Sequence, residues 1–171
     1  MKIDVMSEVE RGIEEIRADR LHGASQLSRQ ALEVLKLVIE KGSDTKDDFL
    51  EGLKNVGDRL IKVRPSMAPI ANLVARLIYK VFQVSEEKEL HSLRDFAWSK
   101  AEELERSSRL ALEKAAAQGA EIIEDNDKIM TCSYSSTIKE VFRIVSGGEK
   151  KVRVWILESK DKDKSYGKIM A

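Results

Sequence analysis

An N-terminal helical domain followed by the opening strand–helix–strand of a truncated α/β sheet is the fold class this sequence predicts. Three observations predict it. Apolar residues recur at three- and four-residue steps through the first 120 positions, the period of an amphipathic helix. After that the apolar runs shorten and gain β-branched residues, as in Val152-Arg153-Val154-Trp155-Ile156-Leu157. An amphipathic stretch stands between two such runs, which is the spacing of a βαβ unit. The expected division is a helical domain over 1–120 and the start of an α/β domain, an incomplete parallel sheet, over 121–171.

Taken in order, Ile3, Met6, Val9, Ile13 and Ile16 form the apolar stripe of a first helix, which His22-Gly23 breaks. Ser25 is the expected N-cap of a second, with Leu27, Ala31, Leu35 and Val38 inward and Gly42-Ser43 at its end. Asp44 or Thr45 starts a third, carrying Phe49, Leu53, Val56, Leu60 and Ile61. Arg64-Pro65-Ser66 stops it, because a residue before proline avoids helical backbone. Met67 to Val81 is the most apolar stretch and is expected to be the most buried helix, with Pro69 in its first turn. Ser85 is expected to cap a long polar helix ending near Gln118-Gly119, with Leu90, Phe96, Ala97, Leu104, Leu110 and Leu112 as its sparse apolar contacts. Lys128–Cys132 and Val152–Leu157 are the strands, and Ser136–Val145 the helix between them, closed by Gly147-Gly148. The charged run Glu158–Lys164 reads as a loop. A two-stranded parallel sheet is too small to bury both faces, so the second domain looks cut short, and Gly167 is placed to open a further helix.

Composition excludes several classes. The 171 residues carry 30 basic and 30 acidic side chains, so the basic excess of a nucleic-acid binder is absent. A single cysteine, Cys132, excludes a disulfide framework and a cysteine zinc cluster, and two histidines make a histidine metal site unexpected. No apolar run approaches the length of a membrane span, and the first residues are not a signal peptide. A soluble cytoplasmic protein without metal or cofactor is the expectation.

Three stretches carry chemistry. Ser133-Tyr134-Ser135-Ser136-Thr137 lies at the carboxyl end of the first strand and the start of the next helix, where open α/β sheets bind ligands. Free amides and the positive helix end favour an anion there, and the hydroxyls add donors; simple capping by Ser135 or Ser136 uses the same residues. His22-Gly23-Ala24-Ser25 starts a helix after a glycine and offers a second anion site, or an ordinary interhelix turn. Arg64-Pro65-Ser66 holds an arginine on a rigid turn, suited to a phosphate or to the dipole of its own helix. Cys132 reads as a buried, inert small side chain.

These stretches occur together in an order that resembles one family. It joins the regulatory alpha, beta and delta subunits of translation initiation factor 2B to ribose-1,5-bisphosphate isomerase and methylthioribose-1-phosphate isomerase, and the likeness is greatest to archaeal members. The matching pieces are Arg17–Ser25, Arg64–Pro69, Ile129–Thr137 and Val154–Ser159 followed by Gly167. The resemblance implies a helical domain followed by a Rossmann-like domain. It implies phosphate contacts at Gly23 and Ala24, with His22 where the isomerases have arginine, at Arg64 and Ser66, and at Ser135, with Ser136 beside it. Aligned on Thr131 and Ser135, the isomerases' catalytic cysteine position is Ser133, and Cys132 stands one residue out of register. Lys160-Asp161 replaces the expected Arg-Pro. The catalytic aspartate belongs to a region after residue 171, so the resemblance implies that neither acid/base partner stands in its place. The protein so implied is non-catalytic and regulatory-subunit-like. It associates with itself or a paralogue and with initiation factor 2, with a sugar-phosphate or nucleotide ligand at a vestigial site. The alternative is a sugar-phosphate isomerase or sensor.

Overall fold

The computed structural model describes residues 2–41, 43–132, 134–157, 160–161 and 164–165. Five helices come first: α1 (Lys2–Ala18), α2 (Ala24–Lys41), α3 (Lys46–Val63), α4 (Ala68–Gln83) and α5 (Leu90–Ile122). Strand β1 (Lys128–Cys132), helix α6 (Ser136–Ser146) and strand β2 (Arg153–Leu157) follow. The chain groups into two compact units, Met1–Asp19 with Ala24–Ser108, and Arg20–Gly23 with Arg109–Ala171.

In the first unit α2 packs against α1, α3 and α4. That central place explains its burial: nine of its residues are buried against five of α4. The expectation that α4 is the most buried helix is therefore corrected. Composition ranks α4 first, but position decides, and Tyr79 and Phe82 of α4 are exposed. Val5, Val9, Ile13 and Ile16 form the inner stripe of α1, while Met6 of the expected stripe is exposed. Phe49, Leu53, Val56 and Leu60 of α3 and Leu93, Ala97, Ala101 and Leu104 of α5 complete the core. Each large apolar side chain so buried contributes about 1.5–3 kcal/mol. Gly57 lets α3 and α4 approach: a Cβ there would lie 2.0 Å from Ile78 Cδ1.

The caps follow hydrogen bonding rather than composition. Thr45 caps α3, its hydroxyl accepting from the Asp48 amide. Ser25 is not a cap, since α2 already begins at Ala24, and its carbonyl accepts from the Ser28 hydroxyl. Ser85 does not start α5 either. Its hydroxyl turns back to the Phe82 carbonyl at the end of α4, and the turn it belongs to is held by Lys46 Nζ on the Ser85 and Lys88 carbonyls. Lys36 is buried on α2 and donates to Glu33 and Glu105, its ammonium 5.6 Å from the Trp98 ring centroid. Leu110 is exposed rather than an apolar contact of α5.

In the second unit α5 continues past Gly119 to Ile122. The glycine sits inside the helix because Val141 of α6 crosses it; a Cβ there would meet Val141 Cγ2 at 2.9 Å. Ala116, Ala120, Val141 and Val145 form this unit's core. Lys150 Nζ takes the Ala120 and Ile123 carbonyls at the end of α5. Strands β1 and β2 pair in parallel, Lys128 beside Arg153 through Cys132 beside Leu157. A turn fixes that register: the Asn126 amide donates to the Lys151 carbonyl, the Lys151 amide to Asp125 Oδ1 and the Arg153 amide to the Asp127 carbonyl. Asn126 holds a positive φ of 67°, which its short amide side chain tolerates. On β1 and β2 exposure alternates, so Met130, Cys132, Trp155 and Leu157 lie on an open face. Lys160–Asp161 and Lys164–Ser165 pair as two short antiparallel strands, β3 and β4, where a loop is expected. Ser133, Glu158, Ser159 and Gly167 lie outside the described residues. Among the described residues no helix is long and apolar enough to cross a membrane, and no group of three His, Cys, Asp or Glu could hold a metal ion.

Candidate functional site

The start of α6 gathers several of the residues singled out above. Ser135 has extended backbone (φ −136°, ψ 119°) and caps the helix, its hydroxyl accepting from the Ile138 amide at 3.4 Å. Its carbonyl takes the Lys139 amide. Ser136 and Thr137 therefore supply the two remaining first-turn amides, at the positive end of an 11-residue helix. Tyr134, Ser135, Ser136 and Thr137 are all half-buried. Arg143 is engaged by Glu140 through Nε and Nη2, and that hydrogen-bonded pairing holds the Glu140 carboxyl below its ordinary range.

Gly23 belongs to the same unit and closes on this turn. A Cβ at Gly23 would lie 3.2 Å from Tyr134 Cε1, 3.3 Å from Ser136 Oγ and 3.5 Å from the Ser136 amide nitrogen. Its φ is not positive, so proximity, not backbone conformation, is what calls for glycine. His22 beside it is half-buried. Two stretches far apart in sequence thus form one turn-on-turn contact, with Tyr134 over Gly23. This role of Tyr134 is missing from the sequence reading, since nothing local marks it.

The other expected site residues lie in the first unit. Ala24 is half-buried at the first position of α2, and Ser66 is exposed. Arg64 donates through Nη1 to the carbonyls of Ile16, Arg17 and Asp19, at 3.4, 3.3 and 2.6 Å, and so closes the C-terminal end of α1. Cys132 is exposed, not buried: it ends β1 on the open face with Met130, while half-buried Thr131 points the other way. The α6 turn offers backbone amides and hydroxyls together, the means by which a helix start holds an anion.

Residues 20–169 match the sequence model of the Initiation factor 2 subunit family. A translation initiation factor eIF-2B subunit 2-like protein of Pyrococcus abyssi is 32% identical over 148 residues, covering 86% of this chain and 49% of the relative. A ribose 1,5-bisphosphate isomerase of Thermococcus kodakarensis is 30% identical over 169 residues, covering 98% of this chain and 52% of the relative. The solved structure of a translation initiation factor eIF-2B from Pyrococcus horikoshii superposes with a TM-score of 0.75 at 26% identity, over 94% of this chain and 52% of that one. The chain spans about half the length of the curated relatives it matches.

Proposed function

The chain belongs to the Initiation factor 2 subunit family, and from that premise we propose that it is a non-catalytic, regulatory-subunit-like member acting through protein association in translation initiation or its control. Its partners on this reading are family members, itself or a paralogue, and initiation factor 2, in the cytoplasm. The observation that carries the non-catalytic part is the place of the thiol. The chain has one cysteine, and Cys132 is exposed at the end of β1, on the open face of the strand. A thiol acts as nucleophile or acid only when it reaches the reacting atoms.

The α6 turn retains a binding role on this reading. Gly23, Tyr134, Ser135 and Ser136 flank the place of the phosphate of a sugar phosphate or nucleotide, held by the Ser136 and Thr137 amides. The test is a pair of measurements on the purified chain. Ribose 1,5-bisphosphate is expected to raise the melting temperature, as a ligand of the folded state must, and no isomerised product is expected to form. Turnover of that substrate would overturn the non-catalytic reading, and an unchanged melting temperature would remove the site.

The second reading, a sugar-phosphate isomerase or sensor, is favoured by the Thermococcus isomerase, which matches 98% of this chain. Turnover of ribose 1,5-bisphosphate by the purified chain is the outcome that selects the isomerase over the first reading.

A further inference from the structure

A cavity of about 310 Å³ opens between α1, α2 and α3 of the first unit. Its floor is apolar, formed by the buried Val5, Val38 and Val56, and exposed Met6, Asp48, Glu51 and Asn55 line its mouth. Gly52 faces it without a side chain; the nearest atom to a Cβ there would be Val38 Cγ1 at 3.8 Å, ordinary contact distance. A glycine in mid-helix costs about 1 kcal/mol relative to alanine, and here no close packing requires it. What it leaves is space.

The lining carries two carboxylates, Asp48 and Glu51, and one ammonium, Lys41. Lys41, the basic lining residue, is paired with Glu8 at 3.3 Å. Nearby bases on α3 are also engaged, Lys54 by Asp58 at 3.2 Å and Arg59 by Glu10. Arg94 donates to the carbonyl of the lining residue Ser43 and lies 5.6 Å from the Phe49 ring centroid. Asp48 and Glu51 have no counter-ion among the described residues. An apolar concavity with a few convergent polar groups is the ordinary form of a small-molecule site, and this volume is at the small end of that range.

We propose that the α1–α2–α3 cavity binds a small organic ammonium with a short apolar body, its hydrocarbon on Val5, Met6, Val38 and Val56 and its charge at Glu51 and Asp48. A charged hydrogen bond at the rim distinguishes it from a neutral alcohol or a carboxylate of the same length.

The test titrates the full chain with n-hexylammonium, n-hexanol and n-hexanoate, following methyl resonances of Met6, Val38 and Val56. Saturable shifts confined to these methyls with hexylammonium, and binding at least about tenfold weaker for the other two probes, are expected. Glu51→Gln is expected to weaken hexylammonium binding by about tenfold, and Gly52→Leu to abolish it by filling the space while leaving the melting temperature equal or higher. No saturable binding of hexylammonium, equal binding of hexanoate, or binding unchanged in Glu51→Gln would each overturn the proposal. The Glu51 variant keeps the test decisive if the Gly52 variant folds poorly.

Discussion

Arg64 Nη1 donates to the carbonyl of Asp19 at 2.6 Å, just beyond the last residue of α1. The same nitrogen reaches Ile16 and Arg17, so one guanidinium serves three carbonyls at the C-terminal end of α1. Arg64→Ala is expected to lower stability by about 1–3 kcal/mol, and Arg64→Lys by less, because the charge remains near the helix end. Urea unfolding of the three proteins checks this; equal midpoints would show that the carbonyls are served as well by water.

Gly23→Ala tests the turn-on-turn contact. The added methyl meets Tyr134 and Ser136 at 3.2 and 3.3 Å, tighter than ordinary packing, and pushes the turn from the α6 amides. The expected result is a small stability change with loss of any phosphate-induced rise in melting temperature. Tyr134→Ala in the same background relieves the crowding and is expected to restore part of that rise.

Gly57 and Ile78 are expected to be coupled. Gly57→Ala gains about 1 kcal/mol of helix propensity but drives a methyl to 2.0 Å from Ile78 Cδ1, so the net expectation is a loss of about 1 kcal/mol. Ile78→Val removes that atom at a cost of about 0.5–1.5 kcal/mol and leaves Cγ1 at 3.3 Å. In that background Gly57→Ala should be neutral or stabilising. A double-mutant cycle reads the coupling directly, and additive effects would refute it.

Lys36 sets an alkaline limit. Burial works against its charge, but hydrogen bonds to Glu33 and Glu105 outweigh burial and hold its pKa above the ordinary lysine value. A raised folded pKa means that its contribution is complete below about pH 10, the unfolded lysine range, and is lost as pH rises through the higher folded value. Lys36→Met keeps the stem and removes the charge. The difference in melting temperature between it and the parent chain is expected to be flat from pH 6 to 9 and to shrink only above about pH 10.

Much of the architecture is legible in the sequence because it rests on local chemistry. The periodic stripes of α2 and α3, the Thr45 and Ser135 caps and the strand–helix–strand order all depend on neighbours along the chain. Ser25 and Ser85 mislead because serine serves a helix start and a helix end alike. A serine hydroxyl can accept from an amide or donate to a carbonyl, and both Ser28 and Ser85 donate backward, Ser28 to the Ser25 carbonyl. Gly119 resembles a terminus because its reason lies in Val141, on another helix. The exposure of Cys132 depends on the covering of the sheet, which no strand pattern states. At the candidate site, Ser135 and Ser136 can be named from the strand-to-helix junction. Their meeting with Gly23 cannot, because tertiary folding alone brings those stretches together.

The two tryptophans fall one to each unit, Trp98 beside the Lys36 ammonium and Trp155 on the open face of β2. The protein therefore carries a separate fluorescent reporter for each unit without any label. Trp98→Phe leaves an emission that follows only the strand–helix–strand unit, and Trp155→Phe one that follows only the helical unit. Coincident transitions from the two variants mean a single cooperative melt, and separated ones mean units that come apart in turn.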